Sequence, residues 1–327
     1  YPRVNGNISC SAISRSPSTL GTNLLVIITE DLEDSTKKNS VSALLGNGGT
    51  VYASTNGLYV ASVANYLGLS KSDVGPSTIV HHFEYKDQIP SYTGSAKVEG
   101  VLIGNTFAGS RTSERFSMNQ FAMSEYENFF RIATNTMDEN GSDNKVGVFS
   151  TGDGSFNKVG EVGGIGKGEI IHAVRFIGDR GYIVTFKKTD PLYVIDLSKP
   201  DSPSVVGELK VPGFSTYLHP YENSFLIGLG FDADDMGSFA WTQGIKLSLF
   251  NVSDPKTPTE VGSRVIGSRG TYSVAVEEHH AFAFDPSKNM LALPIERYEG
   301  GNGGSSFGKL SFNGVMLLHV NSTGSFE

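Results

Sequence analysis

A repeated segment constrains the fold of this chain more than any other feature of its sequence. Residues 192–207 read LYVIDLSKPDSPSVVG and residues 247–262 read LSLFNVSDPKTPTEVG, at a constant offset of 55 residues. Each copy contains an apolar run, a turn opened by Asp196 or Asn251, two prolines, and a second apolar run that ends in Val-Gly. Proline cannot donate to a sheet ladder, and Asp and Asn favour turns. Each copy therefore predicts two strands joined by a tight turn.

The spacing between the copies predicts the architecture. A repeat of roughly 40 to 50 residues that supplies four strands is typical of one blade of a β-propeller. We predict blades that begin near residues 50, 118, 171, 215 and 271, with further strands at residues 24–29, 40–45 and 314–320. The predicted fold class is all-β: a β-propeller of four-stranded blades with six blades, five complete and one split or incomplete at the termini. Seven blades are the alternative.

The two ends of the sequence differ from the repeats. Residues 1–22 are rich in Ser, Asn and Gly and predict an irregular lead-in, so residues 23–327 are taken as a single propeller domain. A half blade at one end and an incomplete blade at the other predict closure of the ring between the termini, because closure removes exposed sheet edges. Residues 106–114 and the Gly-rich residues 298–307 are expected to be loop insertions.

Composition and charge exclude several classes of partner. The net charge is −8 and the pI is about 5.4, without a basic run, which argues against nucleic-acid binding. The sequence lacks an apolar run of roughly 18 residues, so direct membrane insertion is not expected. Cys10 is the single cysteine, which excludes an internal disulfide and a zinc site built from cysteines.

Acidic side chains supply the strongest candidate for a metal site. The candidate ligands in the segment GFDADDMG are Asp232, Asp234 and Asp235, and carboxylate oxygens are the ligands that Ca²⁺ prefers. A weaker candidate comprises Asp138 and Asp143, at the corresponding position of another blade. Calcium is the only cofactor that these patterns suggest. The alternative, a solvated acidic loop without a metal, stays open.

Histidines and serines give no catalytic site. His172 and His219 fall on first strands of blades and could converge at a central channel, but neither has a carboxylate at a fixed offset. The pattern GSSFG at residues 304–308 is not placed between a strand and a helix, as a nucleophile elbow requires. No residue is therefore predicted to be catalytic.

Two aromatic residues and four sequons complete the candidates. Phe239 and Trp241 follow the acidic segment, where they would contact a protein or a glycan; packing against the neighbouring blade is the alternative. The sequons would be glycosylated only in a protein secreted by a eukaryote. They are at Asn7, Asn140, Asn251 and Asn321.

Three segments carry a family resemblance. They are RFIGDRGYIVTFKKTDPLYVIDLSKPDSPSVVGELKVPGFSTYLHPYENSFLIGLG, GIKLSLFNVSDPKTPTEVG and AFAFDPSKNMLALPI, within residues 175–295. They resemble secreted bacterial and archaeal proteins with a C-terminal β-propeller domain distantly related to WD40 repeats. The resemblance implies an extracellular or surface-attached propeller and supplies no catalytic residue.

Two functional hypotheses follow. The first is a non-catalytic extracellular module, a binding or assembly scaffold on the cell surface, with calcium as a candidate stabilising ion. Its partners would be a protein, a glycan or further copies of the chain. The alternative is a calcium-dependent hydrolase with a metal site at the mouth of the propeller channel, and fold analogy alone does not choose between the two.

Overall fold

A computed structural model describes residues 8, 10, 13–15, 23–34, 36, 39–63, 77–102, 119–138, 141–152, 154–186, 190–235 and 240–327. For residues 119, 137, 138, 190 and 235 only the backbone is described. The regular structure of this part of the chain consists of strands and short 3₁₀ turns arranged in six sheets. This architecture confirms the prediction of an all-β fold with four-stranded blades, although four of the described sheets have four strands and two have three, where five complete blades were expected.

The first sheet precedes the blades and is called the N-terminal sheet. It contains β1 (Ile13–Arg15), β2 (Leu24–Thr29) and β3 (Ser40–Leu45). The central strand β3 pairs parallel with β1 and antiparallel with β2. Leu44 is fully buried in a cluster with Val60 and Phe83 of the next sheet. The N-terminal sheet therefore packs against the first blade.

Four sheets are complete blades of four antiparallel strands in sequence order. Blade 1 contains β4 (Thr50–Ala53), β5 (Gly57–Val63), β6 (Ser77–Lys86) and β7 (Ile89–Glu99). Blade 2 contains β8 (Met123–Tyr126), β9 (Phe129–Asp138), β10 (Gly141–Ser150) and β11 (Asn157–Val162). Blade 3 contains β12 (Ile170–Ile177), β13 (Arg180–Phe186), β14 (Asp190–Asp196) and β15 (Ser204–Val211). Blade 4 contains β16 (Phe214–Tyr221), β17 (Phe225–Asp235), β18 (Ala240–Asn251) and β19 (Thr259–Ile266).

The sixth sheet, blade 5, has three strands. They are β20 (Ala283–Asp285), β21 (Met290–Glu299) and β22 (Lys309–His319). Among the strands that the structure describes, β22 pairs with β21 along one side and has no neighbour on the other. In the complete blades this position is held by the third strand, which has a fourth strand on its outer side.

The structure corrects the predictions for the two ends. The described strands from the N-terminal and C-terminal ends lie in separate sheets, so they do not share one split blade as expected. Ile13–Arg15 forms β1 within the segment expected to be irregular. Residues 271–276 were expected to be a strand but contain the 3₁₀ turn Val274–Val276, because Ser273 caps the turn by accepting a hydrogen bond from the Ala275 amide.

The hydrophobic core lies between consecutive blades. One buried cluster joins side chains of blades 1, 2 and 3, a second joins blades 3 and 4, and a third joins blades 4 and 5. In the first cluster the ring of Tyr59 stacks on Phe130, with ring centroids 4.3 Å apart. Burial of both faces explains why the third strand of blade 4 is buried continuously from Gly244 to Phe250.

A repeated joint between blades explains the Val-Gly ending of the sequence repeat. The outer strand of each complete blade carries a register shift, and a glycine directly follows the unpaired residue. A Cβ placed on Gly207 would lie 2.1 Å from the carbonyl oxygen of Pro255 in the next blade. A Cβ placed on Gly160 or on Gly262 would lie 2.2 Å or 2.3 Å, respectively, from a carbonyl oxygen of the next blade. These glycines allow one blade to approach the turn of its neighbour more closely than a side chain would permit.

Candidate functional site

Polar and aromatic side chains of blades 3 and 4, and of the segments that precede blades 2 and 5, meet beside the first strands of blades 3 and 4. We call this group the inner cluster. Its members come from the 3₁₀ turn Asn119–Ala122, from β12 and β16, and from the residues before β20. They are Gln120, Phe121, Arg175, Tyr217, His219, Glu278, His279 and His280.

An arginine and an aromatic ring form the centre of the inner cluster. The guanidinium carbon of Arg175 lies 4.6 Å from the ring centroid of Phe121. The same ring meets His279 edge-on at 5.0 Å and Tyr217 at 5.5 Å. Among the described residues no carboxylate lies within ion-pair distance of Arg175. The aromatic face is therefore the main stabilising contact of this half-buried cation.

Burial controls the ionisation of this region. Desolvation lowers the pKa of Arg175 from its ordinary value. Desolvation, followed by the nearby charge of Arg175, lowers the pKa of His219 to about 4. His219 is therefore neutral at pH 7, and its Nδ1 lies 3.1 Å from the hydroxyl oxygen of Tyr217. Arg175 is thus the principal fixed positive charge of the inner cluster.

Glu278, His279 and His280 bring a carboxylate and two imidazoles together. Glu278 Oε1 lies 3.3 Å from Nδ1 of His279 and 2.6 Å from Nδ1 of His280. Hydrogen bonds from the backbone and ring of His280 lower the pKa of Glu278. Nε2 of Gln120 lies 3.0 Å from Nε2 and 3.3 Å from Nδ1 of His279. In the part of the chain that the structure describes, these three residues are the one group of His, Cys, Asp and Glu with metal-ligand proximity.

This group was not predicted from the sequence, where only His172 and His219 were considered for a shared site. His172 contacts Phe186 and Phe214, whereas His219 contacts Tyr217 and Phe282, so the two histidines have different neighbours. The contiguous letters EEHH at residues 277–280 were the available signal. Gln120 and Arg175 carried none, because they reach the cluster only through the tertiary fold.

The acidic segment predicted to bind calcium is mostly strand. Strand β17 continues to Asp235 and pairs with β18 there, so the segment does not follow a strand that ends at Gly230. Asp234 Oδ2 accepts a hydrogen bond of 2.8 Å from the Gly304 amide. This contact ties blade 4 to the Gly-rich connection of blade 5. Calcium binding by Asp232, Asp234 and Asp235 stays a prediction.

The second acidic candidate has a structural partner as well. Asp143 Oδ1 accepts hydrogen bonds from the amides of Asn144 and Gly164, at 2.9 Å and 3.0 Å. The side chain of Asp138 lies outside the described residues. Asp143 therefore stabilises the turn that leads from blade 2 to blade 3, and its role as a metal ligand stays a prediction.

Trp241 contacts an arginine, whereas Phe239 lies outside the described residues. The guanidinium carbon of Arg269 lies 4.2 Å from the ring centroid of Trp241 and 4.6 Å from that of Phe307. Arg269 is therefore held between two aromatic rings at the boundary of blades 4 and 5. The side chain of Phe307 remains 67% exposed.

Two of the four sequon asparagines are described. Asn251 Oδ1 accepts a hydrogen bond from the Ser253 amide at 3.0 Å, and Asn321 Oδ1 accepts one from Thr323 at 3.1 Å. Both asparagines therefore open turns in the same way as the turn residues of the repeat. Asn7 and Asn140 lie outside the described residues.

Apolar side chains line the edge of blade 5. We call this surface the open edge, and it comprises Leu310, Phe312, Val315 and Leu317 of β22, which are exposed by 54%, 38%, 61% and 64%. His319 and Glu327 exchange two backbone hydrogen bonds, of 2.7 Å and 2.9 Å. In blades 3 and 4 the last residue of the third strand pairs with the residue eight positions later, Asp196 with Ser204 and Asn251 with Thr259.

This register gives each residue of β22 an equivalent in blades 3 and 4. Val315 corresponds to Leu192 and Leu247, which are exposed by 1% and 0%. Leu317 corresponds to Val194 and Leu249, both fully buried. The same pattern of side chains is thus packed in the core against the next blade in blades 3 and 4 and is exposed along β22. An apolar strand edge of this kind is a surface for pairing with another strand.

Comparison with known proteins supports the fold. The chain is 42% identical over 203 residues to an uncharacterized protein of Methanocaldococcus jannaschii, which covers 62% of this chain and 30% of that protein. It is 39% identical over 177 residues to an uncharacterized protein of Archaeoglobus fulgidus, which covers 54% and 26%. The matched region is therefore less than a third of either relative.

The crystal structure of Sqt1 from Chaetomium thermophilum aligns with a TM-score of 0.36 and 14% identity over 55% of this chain and 42% of that chain. No helix in the described ranges is both long and apolar enough to span a membrane. The family model of the beta propeller domain matches residues 1–327. The chain belongs to the beta propeller domain family.

Proposed function

We propose that the protein is a non-catalytic binding module whose fifth blade accepts an extended polypeptide strand along β22. Two observations support this proposal: among the described residues β22 has a paired strand on one side only, and Val315 and Leu317 are 61% and 64% exposed where their equivalents in two other blades pack against the next blade. A strand added to a sheet edge gains affinity from main-chain hydrogen bonds and specificity from alternating side chains.

The energetics favour such an addition. Full burial of a Val or Leu side chain stabilises a complex by about 1.5 to 3 kcal/mol relative to exposure. Partial burial of two such side chains, together with main-chain hydrogen bonds to the side of β22 that no other described strand pairs, would offset the ordering of a short strand more easily than isolated surface contacts do. Blades 3 and 4 show what kind of strand fits. Their outer strands read SVVGELKV and TEVGSRVI, and each contains a bulge followed by glycine.

Synthetic peptides with these two sequences test the proposal. A fluorescent peptide SVVGELKV or TEVGSRVI is titrated with the protein, and anisotropy is compared with that of a scrambled peptide of the same composition. We expect saturable binding of at least one native sequence, and at least a tenfold weaker affinity for the double variant Val315→Lys, Leu317→Lys. Val265→Lys is the matched control, because Val265 is also an exposed apolar strand residue, at 46%, but lies on β19.

Two outcomes would overturn the proposal. One is the failure of both native peptides to bind more tightly than the scrambled peptide. The other is binding that the Val315→Lys, Leu317→Lys variant leaves unchanged. Each variant is first checked for a cooperative thermal transition, so that a loss of binding is not confused with a loss of folding.

The proposal includes the location of the module. We place it on the cell surface or outside the cell, where the strand would come from a surface protein or from another copy of the chain. The resemblance of residues 175–295 to secreted propeller proteins of bacteria and archaea supports this location. Antibody labelling of intact and permeabilised cells that express the native gene tests it. Labelling that requires permeabilisation would contradict a surface location.

Calcium is proposed as a stabilising ion through Asp232, Asp234 and Asp235. The test is a thermal melt in Ca²⁺ and in chelator, repeated on the double variant Asp232→Asn, Asp234→Asn. A ligand that binds only the folded state stabilises it by about 2.7 kcal/mol at a hundredfold excess over its Kd. A Ca²⁺-dependent rise in Tm that the double variant loses would support the proposal, and equal melts in both buffers would refute it.

A further inference from the structure

We infer that Glu278, His279 and His280 form a binding site for a divalent transition metal ion of the Zn²⁺ class. The site lies in the inner cluster, on the 3₁₀ turn His279–Ala281 and its N-cap, and it is separate from the open edge and from the acidic segment of β17. The inference is independent of the proposed strand-binding function.

The donor atoms fit the chemistry of Zn²⁺. Two imidazole nitrogens and one carboxylate oxygen match the ligand set of zinc sites that keep one coordination position open. Ligand bonds of about 2.0 Å in tetrahedral geometry place two donor atoms about 3.3 Å apart. Glu278 Oε1 and His279 Nδ1 are 3.3 Å apart. The Oε1 to His280 Nδ1 distance of 2.6 Å is that of a hydrogen bond, which a metal ion would replace.

Different degrees of burial let the site close around an ion. The side chain of His279 is 19% exposed and packs against Phe121, so its ring is held in place. The side chain of His280 is 78% exposed and has room to move by the small distance that coordination requires. The site therefore combines one fixed ligand with one adaptable ligand, and the exposed side admits the ion and a water molecule as the fourth ligand.

Gln120 supplies the partner that a metal-binding histidine needs. Histidine ligands usually bond their second ring nitrogen to a polar group, which fixes the tautomer. The Gln120 amide lies 3.0 Å from Nε2 and 3.3 Å from Nδ1 of His279, and with its oxygen turned to the ring it would accept the proton of one ring nitrogen and leave the other free to bind the metal. Of the two ring nitrogens, Nδ1 faces the carboxylate, 3.3 Å from Glu278 Oε1. Gln120 is thus assigned as a positioning residue.

Arg175 gives the site a distinguishing property. Its charge is close enough to contribute to the lowered pKa of His279, after burial and His280. The same charge opposes a bound dication. Arg175→Met keeps the alkyl packing against Phe121 and removes the charge, so we expect it to bind the metal more tightly than the parent. If the cluster had only a structural role, Arg175→Met would not increase the affinity for the metal.

The experiment uses Co²⁺ and Zn²⁺ with protein purified without a histidine tag and stripped with chelator. We expect one Co²⁺ per chain with the intense visible absorption of tetrahedral cobalt, which an equivalent of Zn²⁺ removes. The double variant His279→Ala, His280→Ala is expected to lose this spectrum, and Gln120→Ala to weaken binding by about 10- to 100-fold. His319→Ala, an exposed histidine on β22, is the control and is expected to bind like the parent.

The inference is wrong if the parent gives no tetrahedral Co²⁺ spectrum. It is equally wrong if the double variant binds one ion per chain with the affinity of the parent. The thermal melts of the Ala variants are measured by circular dichroism alongside the titrations. If a variant melts like the parent, its loss of metal binding is due to the missing ligands and not to unfolding.

Discussion

Blade 4 and blade 5 show the same third strand in two different environments. Leu247 and Leu249 of β18 are fully buried in the core between blades 4 and 5, whereas Val315 and Leu317 of β22 are more than half exposed. The side chains are of the same type and the turn that follows each strand has the same eight-residue register. An apolar pattern therefore shows that a strand can be buried, but it does not show whether a neighbouring part of the protein buries it.

The largest expected difference concerns a charge on each strand. Leu249→Asp places an unpaired carboxylate at a fully buried position, so we expect a loss of about 4 kcal/mol or more in the free energy of unfolding. Leu317→Asp places the same charge at a position that water reaches, so we expect stability within about 0.5 kcal/mol of the parent. Denaturant titration measures both. Equal destabilisation would show that β22 is covered in solution.

The second prediction concerns the joint between blades. Gly207→Ala is expected to cost about 1 to 3 kcal/mol, because its Cβ would lie 2.1 Å from the Pro255 carbonyl oxygen. Gly94 occupies the equivalent position of blade 1, but its nearest neighbour would be the Phe156 Cβ at 3.7 Å. Gly94→Ala is therefore the matched control, with an expected cost below about 0.5 kcal/mol. Similar costs for both variants would contradict the importance of the close approach.

The third prediction concerns pH and compares a buried with an exposed histidine. Burial lowers the pKa of His81 from its ordinary 6.5 to about 4. As the pH falls below 6.5, the unfolded chain therefore binds a proton at His81 that the folded protein does not bind. The contribution of neutral His81 to stability is complete above pH 6.5 and is lost as the pH falls towards about 4. We expect His81→Gln to reduce the fall in Tm over this range. His319→Gln, on the exposed β22, should melt like the parent at each pH, and an unchanged slope for His81→Gln would contradict the prediction.

The smallest effect is expected at the contact between the two blades. Asp234→Ala removes the acceptor of the Gly304 amide and should cost about 0.5 to 1.5 kcal/mol. Amide hydrogen exchange at Gly304 should accelerate at the same time. Asp232→Ala removes a neighbouring carboxylate without this hydrogen bond and serves as the control. Unchanged exchange at Gly304 in Asp234→Ala would show that the Gly-rich connection is held by other contacts.

The repeat made much of the fold predictable. Residues 192–207 and 247–262 were recognised as paired strands because the same prolines, turn residues and Val-Gly endings recur at one offset. Residues 271–276 were misassigned because TYSVAV alternates like a strand, while the Ser273 cap that forms a 3₁₀ turn is a local hydrogen bond without a periodic signature. Separation of the end strands into two sheets depends on long-range pairing, which a single sequence does not encode visibly.

The candidate sites were less predictable for physical reasons. Asp234 was recognised as a carboxylate in a polar segment, but its partner Gly304 is 70 residues away. Gln120 and His279 are 159 residues apart and meet only because their blades are arranged around common inner strands. The exposure of Val315 and Leu317 could not be predicted, because their residue types are typical of a buried strand.

Amide hydrogen exchange along β22 tests the central claim that this edge is open and accepts a strand. The account predicts fast exchange of the outward amides of β22 in dilute protein, slow exchange of the equivalent amides of β18, and new protection of β22 when the peptide SVVGELKV or TEVGSRVI is added. Protection of β22 equal to that of β18 without any added strand, or no change with either peptide, would contradict the account.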